Sequence, residues 1–257
     1  EQDYFAAYNK LKDDVINYLR SQEAMERFMQ EDLNSDTFKL KNTNFPKHDI
    51  FKRTFDGKFF VSIDMKKANF TALRHYESSI VGGKNSYEEF IGMFTDFEYF
   101  KQSKYIRQVV FGNCNPKRQV AYQKRLMDEF LTCLLTFTVE NQIVFFSNDE
   151  IVVDVSELSE VERKFYSTAV QMSIDKHAEL GVHLRQELFE LRHIPGTDGY
   201  IKKFSGKEGY EFKCLDALLM PFVLRAYAGE EVKEEDLVFR YENRLAKLLD
   251  VPTVEVV

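Results

Sequence analysis

The first thirty residues alternate between apolar and charged positions with the period of an α-helix. Apolar side chains recur three or four residues apart, first at Tyr4, Tyr8, Leu11, Val15 and Leu19 and then at Met25 and Phe28. This spacing predicts one long amphipathic helix or two short ones. The stretch from 34 to 56 is polar and has no clear period, so no element is predicted there.

Two later segments have the composition of β-strands. The run "KFFVSID" is aromatic and β-branched, which is typical of a buried strand, and it ends on Asp64. In "NQIVFFSNDEIVVDV", two apolar runs flank Asn148, Asp149 and Glu150. This second segment predicts a β-hairpin with adjacent carboxylates at its tip.

Helical patterns fill most of the remaining chain. Asn115 can cap and Pro116 can start a helix that runs from about 117 to 135. Further helices are predicted from about 160 to 179 and from about 214 to 249. Ahead of the Asn115 cap, "IRQVVFG" is predicted to be an extended or mixed run that stops at Gly112.

A last pair of strands, "VHLRQELFELRHI" and "YIKKF", is predicted around the turn Pro195-Gly196. The order of elements is then helix, strand, helices, hairpin, helix, strands and helices. This order predicts an α+β fold with an antiparallel sheet and helices packed on one face. An N-terminal helix and a C-terminal helical tail complete the predicted fold.

Composition indicates a globular chain. Of 257 residues 44% are apolar, with 24 Phe and 13 Tyr, which is enough for a packed core. The three cysteines lack CxxC spacing, so we expect no disulfide framework and a reducing, cytoplasmic compartment. No apolar run approaches the roughly 18 residues of a membrane span. Because the chain begins at Glu1 without a signal sequence, we expect a processed product or a part of something larger.

Charge is acidic on average but uneven along the chain. The net charge of −7 argues against a nucleic-acid partner, since phosphate binding normally goes with a basic excess. Residues 99–127 nevertheless contain no acid and seven bases, at Lys101, Lys104, Arg107, Lys117, Arg118, Lys124 and Arg125. A second basic zone comprises Lys39, Lys41, Lys47, Lys52, Arg53, Lys58, Lys66 and Lys67. One such zone is ordinary for a solvated face, but two zones around the acidic candidates favour an anionic ligand.

The hairpin tip and the strand that ends on Asp64 together suggest a metal site. If the two strands are neighbours, the carboxylates of Asp64, Asp149 and Glu150 meet at one edge of the sheet. Two Mg²⁺ or Mn²⁺ ions about 3.5–4 Å apart can then clamp the attacking and leaving oxygens of a phosphoryl transfer. Mg²⁺ binds few carboxylates together with substrate phosphates, so two or three acids suffice. The alternative is a solvated turn, since Asn-Asp is common in turns.

Three segments resemble motifs A, B and C of the palm domain of template-dependent nucleic-acid polymerases, the group of RNA-dependent RNA polymerases and reverse transcriptases. They are "FFVSIDMKKANF", "VVFGNCNPKRQVAYQKRLM" and "FFSNDEIVVDV", in the same order. The resemblance implies that Asp64 and Asp149 hold the metals, with Glu150 in the place of the adjacent second acid. It also implies that Gly112 lies in a flexible loop before a helix that supports the template and the incoming nucleotide.

The outline of a palm polymerase covers roughly 58–204. The segments "HAELGVHLRQELFELRHI" and "GYIKKF" are similar in outline to motifs D and E. The resemblance therefore implies three parts: a fingers-like helical segment at 1–57, a palm-like catalytic domain at 58–212 and a thumb-like tail at 213–257.

Sites for the nucleotide follow from the same resemblance. Palm polymerases place a residue that meets the ribose a few positions after the motif A aspartate, and here Asn69 and Phe70 stand there. Asn69 would bind a 2′-hydroxyl and select ribonucleotides, whereas Phe70 in that position would select deoxynucleotides. The other role open to Asn69 is to cap the helix "FTALRHY". Gly112 and Asn115 are further candidates for nucleotide binding.

Nucleic acid is the expected macromolecular partner. The candidate contacts are Lys52, Arg53, Arg107, Lys117, Arg118, Lys124 and Arg125. We expect template and primer nucleic acid, NTPs, and further subunits or the rest of a larger polyprotein as partners, and no membrane span.

Two other functions stay open. Motif C reads Asn-Asp-Glu instead of Gly-Asp-Asp, and the motif B loop lacks the Ser-Gly or Pro-Gln-Gly of the polymerase groups. The hairpin "FFSNDEI" is also similar to the Ser-Asp-Glu hairpin of tRNA guanylyltransferases, which resemble nucleotidyl cyclases in using two metals. In that case Lys202 and Lys203 would supply the late transition-state cations. The third possibility is a non-catalytic palm-like module of a larger assembly, in which the hairpin tip is a plain turn.

Overall fold

The computed structural model describes residues 2–254. The helices of this part of the chain are α1 (Gln2–Ser21), α2 (Glu23–Gln30), α3 (Ala68–Tyr76), α4 (Tyr87–Ile91), α5 (Glu98–Gln102), α6 (Lys104–Gly112), α7 (Pro116–Leu134), α8 (Glu160–Glu179) and α9 (Met220–Ala228). The strands are β1 (Phe59–Met65), β2 (Ile143–Phe146), β3 (Glu150–Asp154), β4 (Leu184–His193), β5 (Tyr200–Phe204), β6 (Tyr210–Lys213), β7 (Val238–Tyr241) and β8 (Arg244–Lys247).

Six strands form one antiparallel sheet in the order β2-β3-β1-β4-β5-β6, and β7 pairs with β8 in a separate hairpin. The predicted α+β fold with an antiparallel sheet and an N-terminal helix is confirmed. The first four strands and their connecting helices follow the order βαββαβ, which is the ferredoxin-like arrangement. The predicted hairpin at 141–155 corresponds to β2 and β3, and the predicted later pair corresponds to β4 and β5.

The chain divides into two compact units. Unit 1 contains residues 2–47, 62–152 and 160–186, and unit 2 contains residues 48–61, 153–159 and 187–254. The strands β1, β3 and β4 each contribute residues to both units. The division into three consecutive parts at 57 and 212 stays a prediction.

The N-terminal pattern forms two consecutive helices, α1 and α2. Leu11 and Leu19 of α1 and Met25 and Phe28 of α2 are all buried, as their helical spacing predicts. The backbone of Gln22 is extended between the two helices. The apolar stripe therefore continues across a break in the helix.

The segment "IRQVVFG" lies in helix α6, so the prediction of an extended or mixed run is wrong. Ser103 caps this helix by accepting a hydrogen bond from the backbone N–H of Ile106 at 3.2 Å. Ile106 and Val110, four residues apart, are buried on one face, and burial outweighs the weak helix propensity of β-branched residues. Gly112 is the last residue of α6, so the expectation that it lies in a flexible loop before the next helix is also wrong.

Helix α7 begins as predicted. Asn115 is its N-cap, with φ at +55°, and its side chain accepts a hydrogen bond from the backbone N–H of Arg118 at 3.3 Å. Pro116 is the first residue of the helix, where its missing N–H costs nothing. The amide oxygen of Asn115 is thus engaged within the chain.

The C-terminal segment is helical over a shorter range than predicted. Between residues 214 and 249 only α9 is α-helical, and the prediction of a helix over that whole range is wrong outside α9. The first of the two strands in this segment, "VFRY", is rich in the β-branched and aromatic residues that favour strands. Glu242 and Asn243 form the turn of the β7–β8 hairpin, both with positive φ, as two-residue hairpin turns require.

Candidate active site

Strands β1 and β3 are neighbours and run antiparallel. The backbone N–H of Met65 donates to the carbonyl oxygen of Asp149 at 2.8 Å, and that of Val155 donates to the carbonyl oxygen of Phe59 at 2.9 Å. The two bonds lie six residues apart on both strands, from 59 to 65 and from 149 to 155. The register between them is therefore continuous, without a bulge.

This register places Asp64 directly opposite Glu150. The pair lies between hydrogen-bonded pairs, where Cα atoms of opposite residues approach to about 4.5 Å and their side chains share one face of the sheet. The sequence predicts that these acids meet only if β1 and β3 are neighbours, and the two strands are neighbours. The acid that ends the first strand and an acid of the hairpin lie side by side.

Strand β4 lies on the other side of β1 and brings a cation to the same position. The backbone N–H of Lys66 donates to the carbonyl oxygen of His183, and that of Leu191 donates to the carbonyl oxygen of Lys58, both at 2.9 Å. These bonds are eight residues apart on both strands, from 58 to 66 and from 183 to 191. The register places Arg185 opposite Asp64.

Glu150, Asp64 and Arg185 form a row across three strands, here called the acid–arginine row. The Nε of Arg185 donates to Oδ2 of Asp64 at 2.7 Å. Like charges directly opposite each other destabilise a sheet by a few tenths of a kcal/mol or more, and the guanidinium offsets this repulsion. The side chain of Arg185 is 60% exposed and that of Asp64 is 30% exposed. The ion pair is thus open enough for Arg185 to exchange with another cation.

The hairpin tip is organised by Ser147. Its Oγ accepts hydrogen bonds from the backbone N–H groups of Asp149 at 3.3 Å and Glu150 at 3.0 Å. The same hydroxyl lies 3.2 Å from Oδ1 of Asp149, to which it donates. Both acids are half-buried, so the tip is not the fully solvated turn that the simpler alternative describes.

A chain of three side-chain amides joins the hairpin tip to two helices. Nδ2 of Asn148 donates to Oε1 of Gln123 at 3.3 Å, and Nε2 of Gln123 donates to Oδ1 of Asn69 at 3.2 Å. Gln123 is only 2% exposed, so both of its bonds are made out of contact with water. These bonds connect the segments that resemble motifs A, B and C.

Asn69 does not cap α3, because Lys67 occupies the N-cap position, with φ at +46°. The capping alternative for Asn69 is therefore wrong. Phe70 is 3% exposed and packs near the ring of Tyr87, with centroids 6.2 Å apart. Its burial removes Phe70 as a candidate for nucleotide contact and leaves the half-buried Asn69.

Arg118 and Arg107 are two of the three predicted nucleic-acid contacts that lie over aromatic rings. The guanidinium of Arg118 is 5.4 Å from the ring centroid of Phe38 and also donates to the backbone oxygen of Glu31. The guanidinium of Arg107 is 5.5 Å from the ring centroid of Tyr87. Arg118 therefore serves the packing of α7 against the segment after α2.

The next two basic residues of α7 are also engaged. Nζ of Lys124 lies 4.5 Å from the ring centroid of Phe146, and burial lowers the pKa of Lys124 below its ordinary value. Arg125 forms an ion pair with Glu129 at 2.6 Å, and its side chain is 18% exposed. These contacts leave less of the charge of α7 available to a ligand than its sequence indicates.

The remaining candidate cations differ in exposure. Lys117 in unit 1 and Lys52 and Arg53 in unit 2 are exposed. Lys202, a candidate transition-state cation, is 6% exposed, and its Nζ lies 4.5 Å from the ring centroid of Phe189. Lys202 is thus buried in its own unit instead of being presented to a substrate.

The donor set of the acid–arginine row suits a hard cation. Among residues 2–254, no group of three or more His, Cys, Asp or Glu side chains is arranged to hold a metal ion. Asp64 and Glu150 supply carboxylate oxygens on one face, and Mg²⁺ in nucleotide sites commonly uses one or two carboxylates plus phosphate oxygens. The residues therefore fit Mg²⁺ or Mn²⁺ that arrives with a substrate.

Sequence reasoning missed Arg185 and Gln123. Gln119 and Gln123 occupy positions of α7 that share the period of its buried apolar residues, and a buried amide needs partners. That mismatch is a signal that could have identified Gln123. Nothing in the sequence marks Arg185, because its position opposite Asp64 depends on the register of β4.

Comparison with known proteins gives no match to the chain among family models, curated proteins or solved structures. Within residues 2–254, no helix combines the length and the apolar character needed to cross a membrane.

Proposed function

We propose that the chain is a palm-type nucleotidyltransferase that carries out template-dependent RNA synthesis from NTPs, with its metal centre at Asp64 and Glu150. The pairing of β1 with β3 is the observation that carries the proposal, because it brings the acid at a buried strand end opposite an acid at a hairpin tip. The ferredoxin-like order of the first four strands supports the same conclusion.

Bound Mg²⁺ or Mn²⁺ would supply charge stabilisation for the attacking and leaving oxygens of phosphoryl transfer. The carboxylates of Asp64 and Glu150 would hold it. Asp149 lies opposite Met65 in the same register, so strand alternation directs its side chain away from this pair. Arg185 donates to Asp64 and offsets its charge. When Arg185 leaves Asp64, its planar guanidinium is suited to bind two phosphate oxygens at once.

The amide chain would position the nucleotide. Gln123 fixes the side chains of Asn69 and Asn148 on either side of it. Asn69 lies five residues after Asp64 and carries both a donor and an acceptor, so we assign it the contact with the ribose 2′-hydroxyl. Ribonucleotide use follows from this assignment.

Template and primer nucleic acid, NTPs and further subunits are the partners under this proposal. Cys114, Cys133 and Cys214 are free thiols, which suits the reducing, cytoplasmic compartment that we assign to the protein.

Nucleotide incorporation tests the proposal. The assay compares NTPs with dNTPs on primed templates in Mg²⁺ and in Mn²⁺. We expect ribonucleotide incorporation that falls about 100-fold or more in Asp64→Asn and Glu150→Gln, since each variant removes a metal-binding charge. In Asn69→Ala the preference for ribose should weaken. Absence of incorporation by the wild type, or undiminished activity of Asp64→Asn, contradicts the proposal.

A second candidate function is favoured by one observation, the ion pair of Asp64 with Arg185. In a non-catalytic module this pair would be a permanent link between β1 and β4. Asp64→Asn and Arg185→Gln would then change stability alike, by less than about 1 kcal/mol for a pair this exposed, and neither would change metal binding.

A further inference from the structure

The exposed face of α8 carries a stripe of large apolar side chains. Val161, Phe165 and Met172 are 62%, 72% and 69% exposed. At about 100° of rotation per residue, the three lie within about 40° of one another around the helix axis. Isolated exposed apolar side chains are ordinary, but an aligned set on one helix marks an interaction surface.

Charged side chains flank this stripe. Helical rotation puts Lys164 and Asp175 on one side and Glu162 and Lys176 on the other, and all four residues are exposed. Each side thus carries one base and one acid, at opposite ends of the stripe. The surface is complementary in charge to a reversed copy of itself.

We propose that α8 is a homodimer interface on which a second copy of the chain packs antiparallel. Phe165 of one copy then packs on Met172 of the other. Lys164 meets the second copy's Asp175, and Glu162 meets the second copy's Lys176. This proposal is independent of the proposed enzymatic function.

A single antiparallel alignment makes all three contacts, because the midpoint of each residue pair along the helix lies beside Ala169. The small side chains of Thr168 and Ala169 let the two helices approach closely at that point. Antiparallel packing also sets the positive N-terminal end of each helix beside the negative C-terminal end of the other. Lys164 now pairs with Glu160 at 2.7 Å, but both side chains are largely exposed, and such a pair exchanges readily.

The interface is small. The apolar stripe from Val161 to Met172 spans about 17 Å of helix. Interfaces at the low end of the size range form weak complexes, so we expect a dissociation constant in the micromolar range.

Sedimentation velocity over a range of concentrations tests the dimer. The wild type should shift from monomer to dimer across the micromolar range, and Phe165→Glu should stay monomeric with unchanged circular dichroism. A wild type that stays monomeric at the highest concentrations, or a dimer that survives Phe165→Glu, overturns the proposal.

A charge exchange tests the antiparallel orientation. Lys164→Glu should weaken the dimer about tenfold, because it places two acids opposite each other twice in the symmetric pair. The double variant Lys164→Glu/Asp175→Lys should restore the affinity. In a parallel dimer Lys164 would instead face the second copy's Glu162, and the double variant would be weaker than either single one.

Two controls accompany the exchange. Lys39→Glu makes the same charge change on an exposed lysine outside α8 and should leave the dimer unchanged. Helix content by circular dichroism shows whether Lys164→Glu has disturbed α8 itself. If the double variant does not recover the affinity of the wild-type dimer while α8 stays helical, the antiparallel arrangement is overturned.

Discussion

Glu31, at the end of α2, is held by three hydroxyl groups. Its carboxylate accepts hydrogen bonds from Thr37, from Tyr76 at 2.8 Å and from Ser35 at 3.0 Å. The bond from Thr37, followed by those from Tyr76 and Ser35, holds the pKa of Glu31 below its ordinary value, although burial acts in the opposite direction. The folded state therefore favours the charged carboxylate.

The stability of the protein should depend on pH through Glu31. Because its pKa is lower in the folded state, its stabilisation is complete above the ordinary value of about 4.5 and is lost as pH falls through the folded pKa. We expect Glu31→Gln to lower the free energy of unfolding by about 1 kcal/mol at pH 7 and by less at pH 3.5. Urea denaturation between pH 3.5 and 7 measures this difference. Glu26→Gln, on the exposed face of α2, is the matched control. If the free energy of unfolding differs between the wild type and Glu31→Gln by the same amount at every pH, the prediction is contradicted.

At the level of the element, the start of α7 combines two local features. Asn115 supplies both a positive φ and a capping oxygen. Asn115→Gly keeps the backbone conformation and should cost about 0.5 kcal/mol, whereas Asn115→Ala loses both features and should cost about 2 kcal/mol. Thermal denaturation of the two variants measures the difference. Equal destabilisation by glycine and alanine would show that the left-handed backbone carries no cost at this position.

The amide chain across three elements gives a second prediction. Gln123→Leu removes the partner of both Asn69 and Asn148, so we expect a loss of about 2 kcal/mol in stability and about tenfold in nucleotide incorporation. Gln119→Leu is the matched control, because Gln119 is equally buried on α7 but binds the carbonyl oxygens of Phe111 and Cys114.

Both variants should be destabilised, and only Gln123→Leu should lose activity when the two are assayed well below their melting temperatures. The same loss of activity in Gln119→Leu would assign the effect to stability alone.

Local signals account for the elements that the sequence predicted correctly. The Asn115-Pro116 cap and the apolar period of α1 each involve residues that are close in sequence, so both can be recognised from the sequence alone. Helix α6 was missed because its β-branched residues favour strands, and tertiary burial decided its conformation. Asp64 and Glu150 were predicted to meet only if their strands paired, and strand pairing is set by contacts between distant segments.

The position of Arg185 shows the same limit. It lies opposite Asp64 only because β4 adopts one register against β1, and a shift of one residue would turn its side chain to the other face. Neither the order of strands nor their register is encoded near either residue. The acidic half of the site was thus predictable, and the cation beside it was not.

On the scale of the whole molecule, the distribution of charge bears on how a chain with a net charge of −7 could bind the anionic substrate that we propose. Cations such as Arg118 and Arg125 are used inside the fold, where they pair with a carbonyl oxygen and a carboxylate. Exposed bases such as Lys117 would make the phosphate contacts under the proposed function. Under the proposed function, a bound metal would add positive charge to that of Arg185 beside Asp64 and Glu150.

Binding of Mn²⁺, followed by electron paramagnetic resonance, tests the acid–arginine row most directly. We predict that the wild type binds Mn²⁺ and that Asp64→Asn and Glu150→Gln each weaken binding about tenfold or more. Arg185→Gln should bind Mn²⁺ more tightly, because it removes the cation that competes for Asp64. Asp154→Asn, which alters an acid of β3 paired with Lys58, is the control and should bind as the wild type does. Equal Mn²⁺ binding in all five proteins, or none in the wild type, would contradict a metal centre at this row.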